Sequence, residues 1–337
     1  MTSELWLDTM PARFGFFGWK SNNARIALAS VFVALSLALF SLPSQADVCQ
    51  RKLLPLEGNW HDYRQGEFIV QYTVAGEHAL QAPTDTQTTG VPDVVADATT
   101  QLMAMHDMLK HLGFQLPLES QRYHGQGASH ILVRFRKMDG LNGRAFDEVR
   151  RLPSGECVLI IELTNRYRTG NLTPAHELFH QVQNGYAPFK RPWFYEGTAR
   201  WAETILGKES VAADPYPMSE ADRRSFWAKS YAAVPTWYGL LKQCDRNPTD
   251  VAIPDDLRNL RYRDGRPVIS DADILGHSFI RQVLEELATL GDRISNKEGI
   301  NPHRWPEKTQ RDSRFDSEMW HVVLQVGNSC LPRTPND

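Results

Sequence analysis

Apolar positions change period near the middle of the chain. Up to about residue 165 they alternate or run in short blocks, as strands do, and beyond Glu203 they recur at helical spacing. Phe68, Val70, Tyr72 and Val74 alternate with Ile69, Gln71 and Thr73, which predicts a strand of mixed burial. Ile131–Lys137 and Cys157–Leu163 predict two more, joined by a Gly-rich, charged connection. Between the first two lies a helix expected from Pro92 to His111. Val94, Val95, Leu102, Met105 and Leu109 turn to its core side, and Gly113 serves as its stop. Later helices are expected over Ser219–Tyr231, Ala272–Leu290 and Phe315–Gln325. One more helix falls at the changeover. Thr173 suits its N-cap, Pro174 its first helical position, and Asn184-Gly185 its end.

An apolar run also stands near the start, from Ile26 to Phe40, and it falls short of the roughly 20 residues that a membrane span needs. Arg13, Lys20 and Arg25 precede it, and Ser44-Gln45-Ala46 places small residues at −3 and −1 of a cleavage site. The expectation is a signal peptide over 1–46 and a mature domain over 47–337, exported to the periplasm or medium, with no stable membrane span after cleavage. Within that domain an upper lobe is expected over about 58–186 and a helical lower lobe over about 187–330. Net charge is −3, and Arg258, Arg261, Arg263 and Arg266 are interleaved with Asp255, Asp256 and Asp264, so nucleic acid is not an expected partner. Cys49, Cys157, Cys244 and Cys330 all follow the expected cleavage site, and in an exported chain they predict two disulfides. Three pairings are open. The working expectation ties the ends together through Cys49–Cys330 and leaves Cys157–Cys244.

The candidate chemistry sits on the changeover helix, in His176-Glu177-Leu178-Phe179-His180. Four residues separate the histidines, so both imidazoles project from one face, a turn apart, within reach of one zinc ion. Glu177 lies about 100° around the helix from His176, beside the metal as a base rather than on it as a ligand. A catalytic zinc commonly takes His, His and Glu and keeps one position open. Glu196, in Pro192-Trp-Phe-Tyr-Glu-Gly-Thr-Ala-Arg-Trp-Ala-Glu203, is the candidate third ligand. Glu203 follows it by seven residues on the same face, placed to hold a ligating histidine by its second N–H. The plainer alternative for Glu196 is an i,i+4 pair with Arg200.

His-Glu-Leu-Phe-His followed by Glu196-Gly197-x-Ala199-x-x-x-Glu203 resembles the gluzincin group of zinc metallopeptidases, which includes thermolysin-like and aminopeptidase-N-like enzymes. The resemblance covers roughly residues 170–205. It implies an α+β, zincin-like fold: a mixed sheet and the active-site helix in an upper lobe, above a mostly helical lower lobe. It also implies zinc on His176, His180 and Glu196, Glu177 as general base, and a peptide or protein substrate. The spacer before Glu196 is shorter than in either type family. The Gly-x-Met-Glu-Asn segment that reads a free amino terminus in aminopeptidases is missing, so an endopeptidase is the expected form.

In the gluzincins a sheet edge binds extended substrate as an added strand, which by resemblance would fall to Val158–Leu163; the equal alternative for that strand is an ordinary core strand. A Tyr or His from the lower lobe would stabilise the oxyanion, with Tyr231, Tyr238, Tyr262 and His277 as candidates. Two other readings stay open at this point: a catalytically silent binding protein on the same fold, and a zinc hydrolase of cell-wall amides.

Overall fold

The computed structural model describes residues 49–207, 211–245, 251–270 and 272–331. The leader expected over 1–46, with its apolar run and cleavage site, lies outside them. The described elements are, in order, β1 His61–Gln65, β2 Phe68–Tyr72, α1 Asp93–His111, α2 Gln121–His124, β3 His130–Arg136, β4 Gly143–Arg151 and β5 Cys157–Thr164. Then come α3 Thr173–Tyr186, α4 Pro192–Glu203, α5 Glu220–Trp227, α6 Val234–Cys244, α7 Asp255–Arg258, α8 His277–Glu298, α9 Glu307–Gln310 and α10 Asp316–Val326. Strands precede Asn165 and helices follow, as the change of period predicted. The fold is mixed α/β.

The five strands form one sheet in the order β1-β2-β3-β5-β4. β2, β3 and β5 run parallel, and β1 and β4 pair antiparallel at the two ends. Every residue of β5 is buried, as a strand with neighbours on both sides should be. Phe68, Val70 and Tyr72 turn to the main core with Val133, Phe135, Ile161 and Leu163, and α1 and α3 cover that face. The reverse face carries a small cluster of Ile69, Leu132, Leu152, Val158 and Ile160. Polar pairs share that reverse side, with Arg134 on Gln71 and Arg136 on Glu162.

In the helical half the centre is aromatic. Trp193, Phe226, Trp237 and Trp320 form ring contacts with one another at centroid distances of 5.2–6.3 Å. Trp193 Nε1–H donates to Asp316 and Trp237 Nε1–H donates to the carbonyl of Trp193, while Trp320 Nε1–H is buried without a partner. This cluster seats α4 on α6 and α10.

Several expected boundaries move. β2 stops at Tyr72, because Thr73 turns the chain by bonding through its hydroxyl to Ala75. α3 does not end at Asn184-Gly185 but runs to Tyr186. Gly185 is there for packing: a Cβ on it would stand 3.2 Å from Ser120 Cβ, whose hydroxyl donates to the Gly185 carbonyl. The Ser219–Tyr231 helix ends at Trp227, and a separate 3₁₀ turn covers Tyr231–Ala233. α8 starts five residues later than Ala272, after Gly276 at φ +80°, and runs on to Gly299 at φ +67°.

The disulfides are Cys49–Cys157 and Cys244–Cys330, which corrects the expected pairing. The N-terminal segment runs beside the end of β4, where Leu53 N–H donates to the Arg151 carbonyl, and Arg151 is in register with Cys157. Cys49 therefore meets the start of β5. Cys244 ends α6 and Cys330 follows α10, so their bridge lies within the helical half. These bridges close loops of 108 and 86 residues, for which chain entropy predicts on the order of 4 kcal/mol each. Cys244→Ser with Cys330→Ser should lower the unfolding free energy from a urea titration by about that amount; an unchanged value would mean that this bridge adds nothing.

A buried charge cluster joins the sheet to the helices. The Asp147 carboxylate lies 3.0 Å from Arg122 Nη2 and 3.1 Å from Lys190 Nζ, and accepts from Gln310 Nε2 at 3.0 Å. Burial alone would raise the Asp147 pKa, but Lys190 and Arg122 outweigh it and hold the carboxyl below the ordinary aspartate range. A depressed folded pKa stabilises the protein above the unfolded value of about 3.9 and loses that contribution as pH falls through the folded value. Asp147→Asn should cost about 3–5 kcal/mol at pH 7, because buried Arg122 loses its counter-charge and buried Lys190 keeps only the exposed Glu307, and should flatten the acid limb of the stability curve.

Candidate metal centre

α3 begins with Thr173 as its first residue rather than the expected N-cap; Leu172 holds the N-cap position without a side-chain bond, and Asn171 Oδ1 accepts from Thr173 N–H at 2.9 Å. The helix packs between β4 and α4, and each neighbour fixes part of the site. From α4, Glu203 Oε1 takes His176 Nδ1 at 2.8 Å, while its other oxygen accepts from Arg200 at 2.6 Å. From α3 itself, Gln183 Oε1 lies 2.7 Å from His180 Nδ1. The Gln183 amide then donates to the Tyr195 carbonyl and the Thr198 hydroxyl. Because that amide is committed as donor on its nitrogen side, its oxygen faces His180, and His180 must donate from Nδ1. The Tyr195 ring stacks on His180 with centroids 3.8 Å apart.

With both Nδ1 atoms occupied, both Nε2 atoms turn to one point. Glu196 Oε2 lies there, 3.2 Å from His176 Nε2 and 3.4 Å from His180 Nε2. His176, His180 and Glu196 bring one ligand atom each to within 4.8 Å of one another, and they are the one group among the described residues that could hold a metal ion. The donor set is two imidazole nitrogens and a carboxylate, flanked by the charges of Glu177 and Glu203, so it favours a cation. The His176 pKa bears this out: burial pulls it down, but the bonds to Glu196 and Glu203 outweigh burial and lift it to about 9. Burial raises Glu196, and the two histidines reverse that and hold it far below the usual carboxylate range.

Glu177 stands apart from the three. It is 6% exposed, and burial lifts its carboxyl, against the lowering effect of His180, His176 and the Ala145 N–H that faces it. That N–H comes from β4. A Cβ on Gly143, in the same strand, would stand 2.6 Å from Glu177 Oε1 and 2.5 Å from Thr173 Cγ2, so only glycine lets β4 approach the helix this closely.

The strand expected to offer an open edge was β5, and this is corrected. β5 pairs with β3 on one side and β4 on the other, so its backbone is occupied, and the edge beside α3 is β4. Thr164 N–H donates to the Asn142 carbonyl, and the alternation of an antiparallel ladder then turns the N–H and C=O of Gly143 and Ala145 away from β5.

Of the four oxyanion candidates, Tyr231 alone reaches the centre. Its ring lies 5.9 Å from that of His176, and its hydroxyl lies within the influence of the Glu196 carboxylate. Burial and the Glu196 charge raise its pKa to about 12, so the phenol keeps its proton at neutral pH. Gly197 makes room for this approach, since a Cβ there would meet Trp237 at 2.7 Å and Ala233 Cβ at 3.0 Å. Tyr238 is turned to Asp273, Tyr262 to Gln101, and His277 starts α8 with Nδ1 buried and unpartnered. Sequence reasoning reached Glu203 but missed Gln183, Tyr195 and β4. The three-residue step from His180 to Gln183 was the available signal for the first.

No protein-family model, curated protein or solved structure matches the chain. Function is therefore argued from the geometry. As a test of the centre itself, His176→Ala and His180→Ala should abolish high-affinity binding of a divalent metal, read by competition with a chromophoric chelator. Gln183→Leu and Glu203→Gln, whose side chains meet the histidines at the far nitrogens and not at the metal-facing ones, should weaken it about 10–100-fold. Unaltered affinity in all four would refute the assignment.

Proposed function

We propose that the chain is an exported zinc metallopeptidase of the gluzincin type, acting on internal bonds of peptides or proteins. The observation that carries the reading is the division of labour on α3: His176 and His180 converge on Glu196, while Glu177, one residue on, is held aside by β4. Two imidazoles and a carboxylate are a standard donor set of catalytic zinc, and the excess of carboxylates around them suits a dication. Both disulfides fit an oxidising compartment, which supports export.

When bound, zinc would supply Lewis acidity, acidifying a water molecule and polarising the scissile carbonyl. The remaining steps fall to the chain. The outward N–H and C=O of Gly143 and the outward C=O of Ala145 would align an extended peptide along β4. Glu177 takes a proton from the attacking water as its oxygen adds to the carbonyl carbon. The same carboxyl returns that proton to the amide nitrogen as the C–N bond breaks, releasing an amine and a carboxylic acid, whose remaining proton passes to the amine at neutral pH. A carboxyl with a raised pKa suits both transfers. Tyr231, protonated at neutral pH and hinged on its own 3₁₀ turn, donates to the carbonyl oxygen as negative charge develops there.

Glu177→Gln should keep the metal and the fold but lower turnover of a mixed peptide library by about 10²–10⁴-fold. Tyr231→Phe should lower kcat by about 10²–10³-fold with little change in KM. Metal content and turnover are to be measured on the same preparations. Full activity in Glu177→Gln would refute the mechanism. Metal-loaded wild type that cleaves no peptide but opens cell-wall amides would move the assignment to those substrates, and retention of peptide without turnover would make the chain a binding protein.

A further inference from the structure

A cavity of about 330 Å³ opens between the loop joining β3 to β4 and the segment joining β5 to α3. We propose that it is a subsite for a substrate carboxylate, with Arg166 and Arg168 as the residues that set this specificity. The inference rests on the peptidase reading for its substrate and adds to it the preference for acidic peptides.

Its position follows from Thr173, which lines the cavity and lies one helical turn before Glu177. Both side chains flank Gly143, so the cavity begins beside the Glu177 carboxylate and next to the outward-facing backbone of β4. A peptide lying on β4 would carry a side chain or its own end into this space. At 330 Å³ it is near the lower end of ligand pockets and holds one or two residues.

Its charge follows from the segment after β5. Tyr167 is 5% exposed and anchors that segment in the core, while Arg166 and Arg168 on either side of it are exposed and line the cavity. Neither guanidinium has a hydrogen-bond or ion-pair partner among the described residues. Nearby arginines differ: Arg136 is tied to Glu162, and Arg266 to Asp264 and the Thr169 carbonyl. No carboxylate lines the cavity. Asp139, in the loop beside it, is exposed and outside the lining. Asn142 and Thr164 add polar contacts, and Leu141, 45% exposed, offers an apolar wall for the arm that carries the acid.

Paired guanidiniums bind a planar carboxylate through forked hydrogen bonds, with a geometry that an amide does not match. The carboxylate has two sources: an Asp or Glu side chain, and the C-terminus of a short peptide.

The test uses zinc-loaded Glu177→Gln protein, so that binding is read without turnover, by anisotropy of fluorescent peptides matched in length. One set carries Glu or Gln beside the centre with an amidated end, and the other carries Gln with a free or amidated C-terminus. In at least one set the acid form should bind about 10–100-fold tighter than the neutral form. Arg166→Gln with Arg168→Gln should remove that advantage, double replacement by Lys should restore part of it, and Arg293→Gln on exposed α8 should leave it intact. The set that responds names the source. Equal affinity of acid and neutral peptides, or an advantage that survives the double Gln variant, overturns the subsite. Wild-type turnover is the separate arm. Cleavage without acid preference removes the subsite and keeps the peptidase. Acid-selective binding that depends on both arginines, with no cleavage by wild type, keeps the subsite and removes the peptidase.

Discussion

The site depends on the far nitrogens of two histidines. Glu203 holds His176 by Nδ1 and Gln183 holds His180 by Nδ1, and those two bonds aim both Nε2 atoms at Glu196. Neither ring has a second orientation that keeps its bond. Three carboxylates, Glu177, Glu196 and Glu203, crowd the two imidazoles in a nearly buried space, and Arg200 neutralises one side of Glu203 alone. The His176 proton offsets part of that charge, while burial and the Glu196 charge still raise the Glu177 carboxyl, a cost that a bound cation would offset. Cation binding and stability are therefore linked in this centre, and what the carboxylates cost in isolation returns as affinity.

Two glycines set how closely the scaffold can close on that centre. Gly143 lets β4 lie against Glu177 and Thr173, and Gly197 lets the turn at Tyr231–Ala233 press onto α4. Neither has the positive φ that usually explains a glycine, so both are there for contact distance. Trp237 fills the other side of the Gly197 contact and stacks on Trp193, which Asp316 fixes from α10. The large aromatic core of the helical half thus ends at the residue beside Glu196.

What was legible in the sequence is what helical periodicity encodes over short range. His176, Glu177 and His180 share one helix, and Glu196 and Glu203 share the next, so their faces follow from spacing alone. β4 was not legible. Gly143–Arg151 carries few apolar residues, is mostly half-exposed, and breaks register between Phe146 and Arg150, so it shows no clean alternation. Disulfide pairing failed for a different reason, since it depends on the N-terminal segment lying along β4, a long-range fact. Asn184-Gly185 misled because residues that usually end helices serve here in a buried contact: Asn184 donates to Tyr195 and Gly185 meets Ser120. The choice among Tyr231, Tyr238, Tyr262 and His277 needed the 3₁₀ turn, which no periodic signal marks.

Glu177 ties these elements together. The Ala145 N–H that faces it belongs to the sheet edge whose remaining groups would carry the substrate in the proposed reaction. Base and peptide would then be positioned by the same short strand, and a shift of β4 would move both together rather than apart. Reacting groups held on one rigid element keep their separation within the few tenths of an ångström that efficient proton transfer demands. β4 is in turn held at its far part by Asp147, through Arg122, Lys190 and Gln310, which reach it from α2, the α3–α4 connection and α9. The buried charge cluster is remote from the chemistry, yet it anchors the strand on which the placement of the base depends.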